Sequence, residues 1–111
     1  MSHDLYTYGS TDPIYFKVTL AGVGVTGLTF QDADIELSKD GGNWASINAD
    51  TTVVEVESGA GYGVYKWTPQ AASETQCEVM ILNIKDAAGS EFDENCLIIA
   101  TGGNASARFS G

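Results

Sequence analysis

Roughly six to eight short stretches of alternating apolar and polar residues, spaced about 8 to 14 residues apart, predict an all-β chain: an antiparallel immunoglobulin-like β-sandwich with extended N- and C-terminal arms. Turns rich in Gly and Asp punctuate these stretches, and no segment carries apolar spacing for a helix of more than one turn. A third observation places the centre. Residues 77–85 (CEVMILNIK) are apolar on both parities, with Cys77, Val79 and Ile81 on one and Met80, Leu82 and Ile84 on the other. That is the pattern of an inner strand with little surface left for water.

Taken in order, residues 1–12 hold Tyr6 and Tyr8 among polar neighbours without a periodic pattern, and read as an unpaired N-terminal arm, either frayed or laid on a neighbouring subunit. Pro13 opens the first strand, where a missing N–H matters least. Over residues 14–20, Ile14, Phe16, Val18 and Leu20 alternate with Tyr15, Lys17 and Thr19, as in a half-buried strand. Gly22, Gly24 and Gly27 then bend the chain.

Residues 30–39 read as a strand with Ala33, Ile35 and Leu37 inward and Asp32, Asp34, Glu36 and Ser38 outward, closed by a hairpin turn at 39–43. Trp44 and Ile47 are expected over the open end of the sandwich. Residues 53–56 form a short strand, and a loop over 57–63 feeds the strand at 64–68. There Tyr65 and Trp67 share one side, Val64 and Lys66 the other. Residues 70–76 allow at most one helical turn, with Ser73 capping and Gln76 in the reciprocal position. The last strand, 94–101, puts Leu97 and Ile99 on one face and Cys96 and Ile98 on the other.

At 111 residues, 43% hydrophobic and 18% charged, the chain has the size and composition of one globular domain. Its parts are an arm at 1–12, a sandwich at 13–101 and a tail at 102–111. No apolar run approaches the roughly 18 residues of a membrane span, and the N-terminus lacks a basic and an apolar region of a secretory signal. A soluble protein made in the cytoplasm is the expectation. Five Lys plus Arg against fifteen Asp plus Glu give a net charge of −10, which repels phosphate backbones and anionic lipid, so neither nucleic acid nor membrane is expected as a partner.

Two cysteines are too few for a disulfide framework, and a hairpin turning near Gly89 puts Cys77 and Cys96 out of register. Two buried free thiols are the expectation. The single histidine, His3, lies in the arm, so a nucleophile–base pair cannot be built on the core, and no enzyme and no cofactor are expected. The run Asp32, Asp34, Glu36 with Asp40 is superficially like a calcium loop, but its spacing is that of a strand's wet face. Asp86, Glu91, Asp93 and Glu94 read as a solvated loop, and the Asn104 sequon as chance without a secretory signal. Tyr62, Tyr65 and Trp67 would stack a sugar if exposed, though the alternation places Tyr65 and Trp67 in the core.

The order LTFQDADIELSKDGGNW (28–44), GYGVYKWTPQAASETQ (61–76), VMILNIKDAAG (79–89) and IIATGGNASARF (98–109) resembles a family of small virion structural modules of tailed bacteriophages and prophages. The resemblance implies an immunoglobulin-like domain on the phage particle, in the virion after assembly in the host cytoplasm, without catalytic residues or cofactors. A capsid decoration or cement protein is the favoured role, bound to the major capsid protein or another virion protein and self-associated, with a trimer favoured. A tail or head-fibre accessory module binding host-surface carbohydrate, through exposed aromatics such as Tyr62 or Trp44, is the alternative. The hypothetical interface comprises Tyr6, Tyr8, Tyr15, Lys17, Arg108 and Phe109, on the two terminal segments and the strand at 14–20.

Overall fold

The computed structural model describes residues 6–57 and 61–101, and its regular structure there is nine antiparallel strands with three single helical turns. The strands are β1 (Ile14–Lys17), β2 (Thr19–Leu20), β3 (Val23–Gly24), β4 (Ile35–Lys39), β5 (Ala45–Ser46), β6 (Val53–Glu55), β7 (Val64–Trp67), β8 (Val79–Ile84) and β9 (Asn95–Ala100). They form a three-stranded sheet in the order β1-β7-β6, a four-stranded sheet in the order β5-β4-β8-β9, and the two-stranded ribbon β2-β3. The chain is all-β, as the alternation predicts, with a sandwich-like arrangement of its two larger sheets.

One core joins those sheets. Ile14 and Phe16 of β1, Val53 of β6 and Tyr65 and Trp67 of β7 bury against Ile35 and Leu37 of β4 and Met80, Leu82 and Ile84 of β8. Tyr65 and Trp67 are fully buried, as expected of the inward parity of β7. Phe30 stands edge-on to Tyr65 at 5.2 Å between centroids and packs on Phe92 at 5.6 Å, which draws the loop before β9 onto the same core. The Tyr65 hydroxyl, its pKa raised by burial, donates to the Val25 carbonyl at 2.9 Å and accepts the Leu28 N–H at 3.1 Å. One aromatic thereby fills the core and fixes the strandless segment after β3.

Several expectations change. The stretch 14–20 is not one strand: the Val18 N–H donates to Gly63, its carbonyl accepts from Val25, and the chain leaves the sheet there for the β2-β3 ribbon. The start of the stretch 30–39 is a 3-10 turn, Asp32–Asp34, which rotates Ala33 out and Asp34 in; Ser38 is buried too. Its hydroxyl donates to the Gly42 carbonyl across the β4-β5 turn. Ile47 is buried, whereas Trp44 stays 48% exposed. The turn Ala72–Thr75 is capped by Glu74, whose carboxylate accepts the Gln70 and Ala71 N–H groups, rather than by Ser73 and Gln76.

The two thiols also part. Cys77 is buried, but Cys96 is exposed on the outer face of β9 opposite Asn83, and both are free. Residues 6–12 do not stand unpaired. The Tyr6 N–H donates to Ala100 at 3.2 Å, the Gly9 N–H donates to Thr75 at 3.0 Å, and the Thr75 hydroxyl donates to Ser10 at 2.6 Å.

Four aspartates that read as solvated instead accept backbone N–H groups, Asp34, Asp40 and Asp93 from distant loops and Asp86 from its own. Asp34 Oδ1 accepts Ala87 and its Oδ2 accepts Gln31. Asp40 Oδ1 accepts both Glu78 and Val79, starting β8. Asp86 Oδ2 accepts Glu91 and Phe92, and Asp93 Oδ2 accepts Ala21. A carboxylate is acceptor-only and can take several donors, so a short acidic side chain can close a loop whose N–H groups would otherwise lack partners.

Candidate interaction surface

The registers that build the three-stranded sheet also compose its outer face. Tyr15 lies opposite Lys66, which lies opposite Val54 on the other side of β7; Lys17 lies opposite Val64. Because Ile14, Phe16, Tyr65, Trp67 and Val53 point into the core, period-two alternation sends Tyr15, Lys17, Val64, Lys66 and Val54 outward. Tyr15 is 57% exposed and Val54 51% exposed, so an aromatic and a β-branched side chain stand in water beside two ammonium groups.

β1 is one of the two edges of this sheet, β6 the other. After β1, the Val18 N–H points to Gly63 of the neighbouring segment, so by alternation the backbone groups of Tyr15 and Lys17 point away from β7, toward the open edge. That edge is four residues long, starts after Pro13 and carries Lys17, three features that disfavour strand addition. β9, which with β5 bounds the other sheet, is six residues long and uncharged, with Ile98 71% exposed.

Of the six interface residues drawn from sequence, Tyr15 and Lys17 share this face. Tyr6 is half-buried, and its hydroxyl reaches the Ser10 and Asp12 carbonyls at 3.1 and 2.6 Å, so it holds its own segment against the domain. Burial raises its pKa. Tyr8 is exposed on that same segment. Arg108 and Phe109 lie outside the described residues. Lys66, Val64 and Val54 complete the face and were not singled out, although the parity of Val64 and Lys66 opposite Tyr65 and Trp67 was visible in the sequence. What was missing was the pairing of β7 with both β1 and β6.

The acidic residues near the 3-10 turn Asp32–Asp34 diverge. Asp34 turns inward, Glu36 pairs with Lys85 at 3.0 Å, and Asp32 accepts the Asp50 N–H at 3.3 Å. A hydrogen bond with the Asp32 side chain raises the Asp50 pKa, so Asp50 holds its proton more readily than an isolated carboxyl. Asp50 lines a shallow groove of about 370 Å³ between the segment 27–30 and β6. No three ligating side chains converge among the described residues. Tyr62 and Trp44, both exposed, lie at opposite ends of the sandwich: Tyr62 precedes β7, whose start pairs with Lys17, while Trp44 follows the β4-β5 turn near Val79.

Compared with known proteins, the chain matches no family model, no curated protein and no solved structure. No helix among the described residues is long and apolar enough to cross a membrane.

Proposed function

We propose that the chain is a non-enzymatic structural protein of a tailed-phage particle, a capsid decoration or cement protein that works through its surface. The observation that carries this reading is the outer face of β1-β7-β6, where Tyr15, Val54, Lys17 and Lys66 are held out by a fully packed core. Exposed aromatic and β-branched groups beside cations make a contact surface rather than a reaction centre, since such groups supply buried area and charge complementarity. The strand order supports an immunoglobulin-like sandwich: β1-β7-β6 against β5-β4-β8-β9 corresponds to strands B-E-D against C′-C-F-G of that fold. The ordered sequence motifs resembling virion modules supply the particle itself, with the major capsid protein or another virion protein as the anchor.

The test compares particles assembled with and without the chain, by negative-stain imaging and by survival of heat and chelator. Loss of surface density together with reduced heat resistance is the expected result. Particles identical in both respects would refute it.

A second reading, a tail or head-fibre module binding host-surface carbohydrate, is favoured by one observation: Tyr62 is 69% and Trp44 48% exposed. Since the two lie at opposite ends, each would act as a separate stacking site. Glycan-array signals that survive both Tyr62→Ala and Trp44→Ala would eliminate it.

A further inference from the structure

We infer that the Tyr15–Lys17–Lys66 face receives the acidic loop 91–94 of a second copy of this chain. The inference rests on the reading above, in which this face is the contact surface, and names its partner.

Charge makes the selection. In a chain of net charge −10, the outward positions of β1, β6 and β7 hold Tyr15, Lys17, Val64, Lys66 and Val54 and no acid. The other described lysines are engaged within the molecule, Lys85 with Glu36 at 3.0 Å and Lys39 with the Ser73 carbonyl at 2.9 Å. Lys17 and Lys66 have no ion-pair partner among the described residues. Two acidic copies repel wherever carboxylates meet, but beyond about 8 Å that repulsion is screened at physiological ionic strength, so local sign decides contact. The lysine face is where local sign reverses.

The complement stands on the same chain. Glu91, Asp93 and Glu94 put three exposed carboxylates into four residues. They are held in place rather than left loose: Phe92 between them is buried in the core, Asp86 Oδ2 accepts the Glu91 and Phe92 N–H groups at 2.7 and 3.1 Å, and the Asp93 N–H donates to Thr19 at 2.8 Å. A fixed acidic knuckle loses little entropy on docking, and Tyr15 and Val54, on either side of Lys66, supply apolar surface that shields its ion pair from water. The short, lysine-bearing β1 edge favours contact through the face rather than by strand addition.

Sedimentation velocity over a concentration series, with folding checked by circular dichroism, tests this. The wild-type chain is expected to self-associate, Lys17→Gln/Lys66→Gln and Glu91→Gln/Glu94→Gln each to lower that association about tenfold or more, and an equimolar mixture of the two variants to recover part of it. Recovery on mixing is the diagnostic result, because each variant retains the half the other has lost. A wild-type chain that stays monomeric throughout overturns the inference. So does association that both double variants leave intact, or that Ile98→Lys at the β9 edge abolishes instead. The measurement needs no particle, so its failure leaves the particle comparison standing, and failure of that comparison leaves the self-association result readable.

Discussion

Asp34 Oδ1 accepts the backbone N–H of Ala87 at 2.7 Å across 53 positions of chain, tying the turn before β4 to the loop after β8. Asp34 is 2% exposed, and its other oxygen holds Gln31 at 2.8 Å. Substitution by Ala removes the acceptor of two part-buried, charge-assisted N–H bonds. Asp34→Ala is expected to lower unfolding stability by about 2 to 3 kcal/mol, read as a shift in the urea midpoint, and Asp34→Asn by less because one acceptor remains.

Asp86 gives the same device a pH dependence. Burial by itself would raise its pKa, but the N–H groups of Glu91, Phe92, Gly89 and Ala88 outweigh it and hold the carboxyl below its ordinary 3.8. The folded state therefore binds this proton less readily than the unfolded state. Its stabilising contribution is complete above the ordinary carboxylate range and fades as pH falls through the depressed folded value. Urea midpoints of wild type and Asp86→Asn are expected to differ clearly at neutral pH and to converge as pH drops below that value.

Close backbone crossings set a different constraint. A Cβ on Gly63, at φ +73°, would meet the Val18 carbonyl and the Val25 N at 2.7 Å, where the chain passes from β1 to the β2-β3 ribbon. Gly22, at φ +85°, has open space around it. Both substitutions to Ala incur left-handed strain of about 1 kcal/mol, and only Gly63→Ala adds a collision between backbones. Thermal unfolding is expected to show a distinctly larger drop in Tm for Gly63→Ala than for Gly22→Ala.

The cysteines separate by reactivity. Burial pushes the Cys77 thiol up, whereas Cys96 is exposed. A thiol reagent on the native protein is expected to modify one cysteine rapidly and the second only on unfolding. Retention of the fast phase in Cys96→Ser would contradict the assignment.

What the sequence made legible was whatever depends on period two. The inward set of β1 and β7 and the facing of β9 all follow from alternation, and the central position of β8 from apolar residues on both parities. Asp34 was misplaced because a 3-10 turn advances the chain differently from a strand, while the alternation of residues 32 to 38 runs on unbroken in the letters. The aspartate-held loops were hidden for another reason. Whether a carboxylate faces water or a backbone N–H fifty residues away depends on tertiary proximity, which local pattern does not encode. Lys66 joined Tyr15 only through the β1-β7 register.

Binding of the proposed Tyr15–Lys17–Lys66 surface to a virion shell is measured by co-sedimentation of the purified chain with tailed-phage particles that lack it. Saturable binding that restores heat resistance to the particles is the predicted result. A chain that remains in the supernatant at every concentration, with particle stability unchanged, would contradict it.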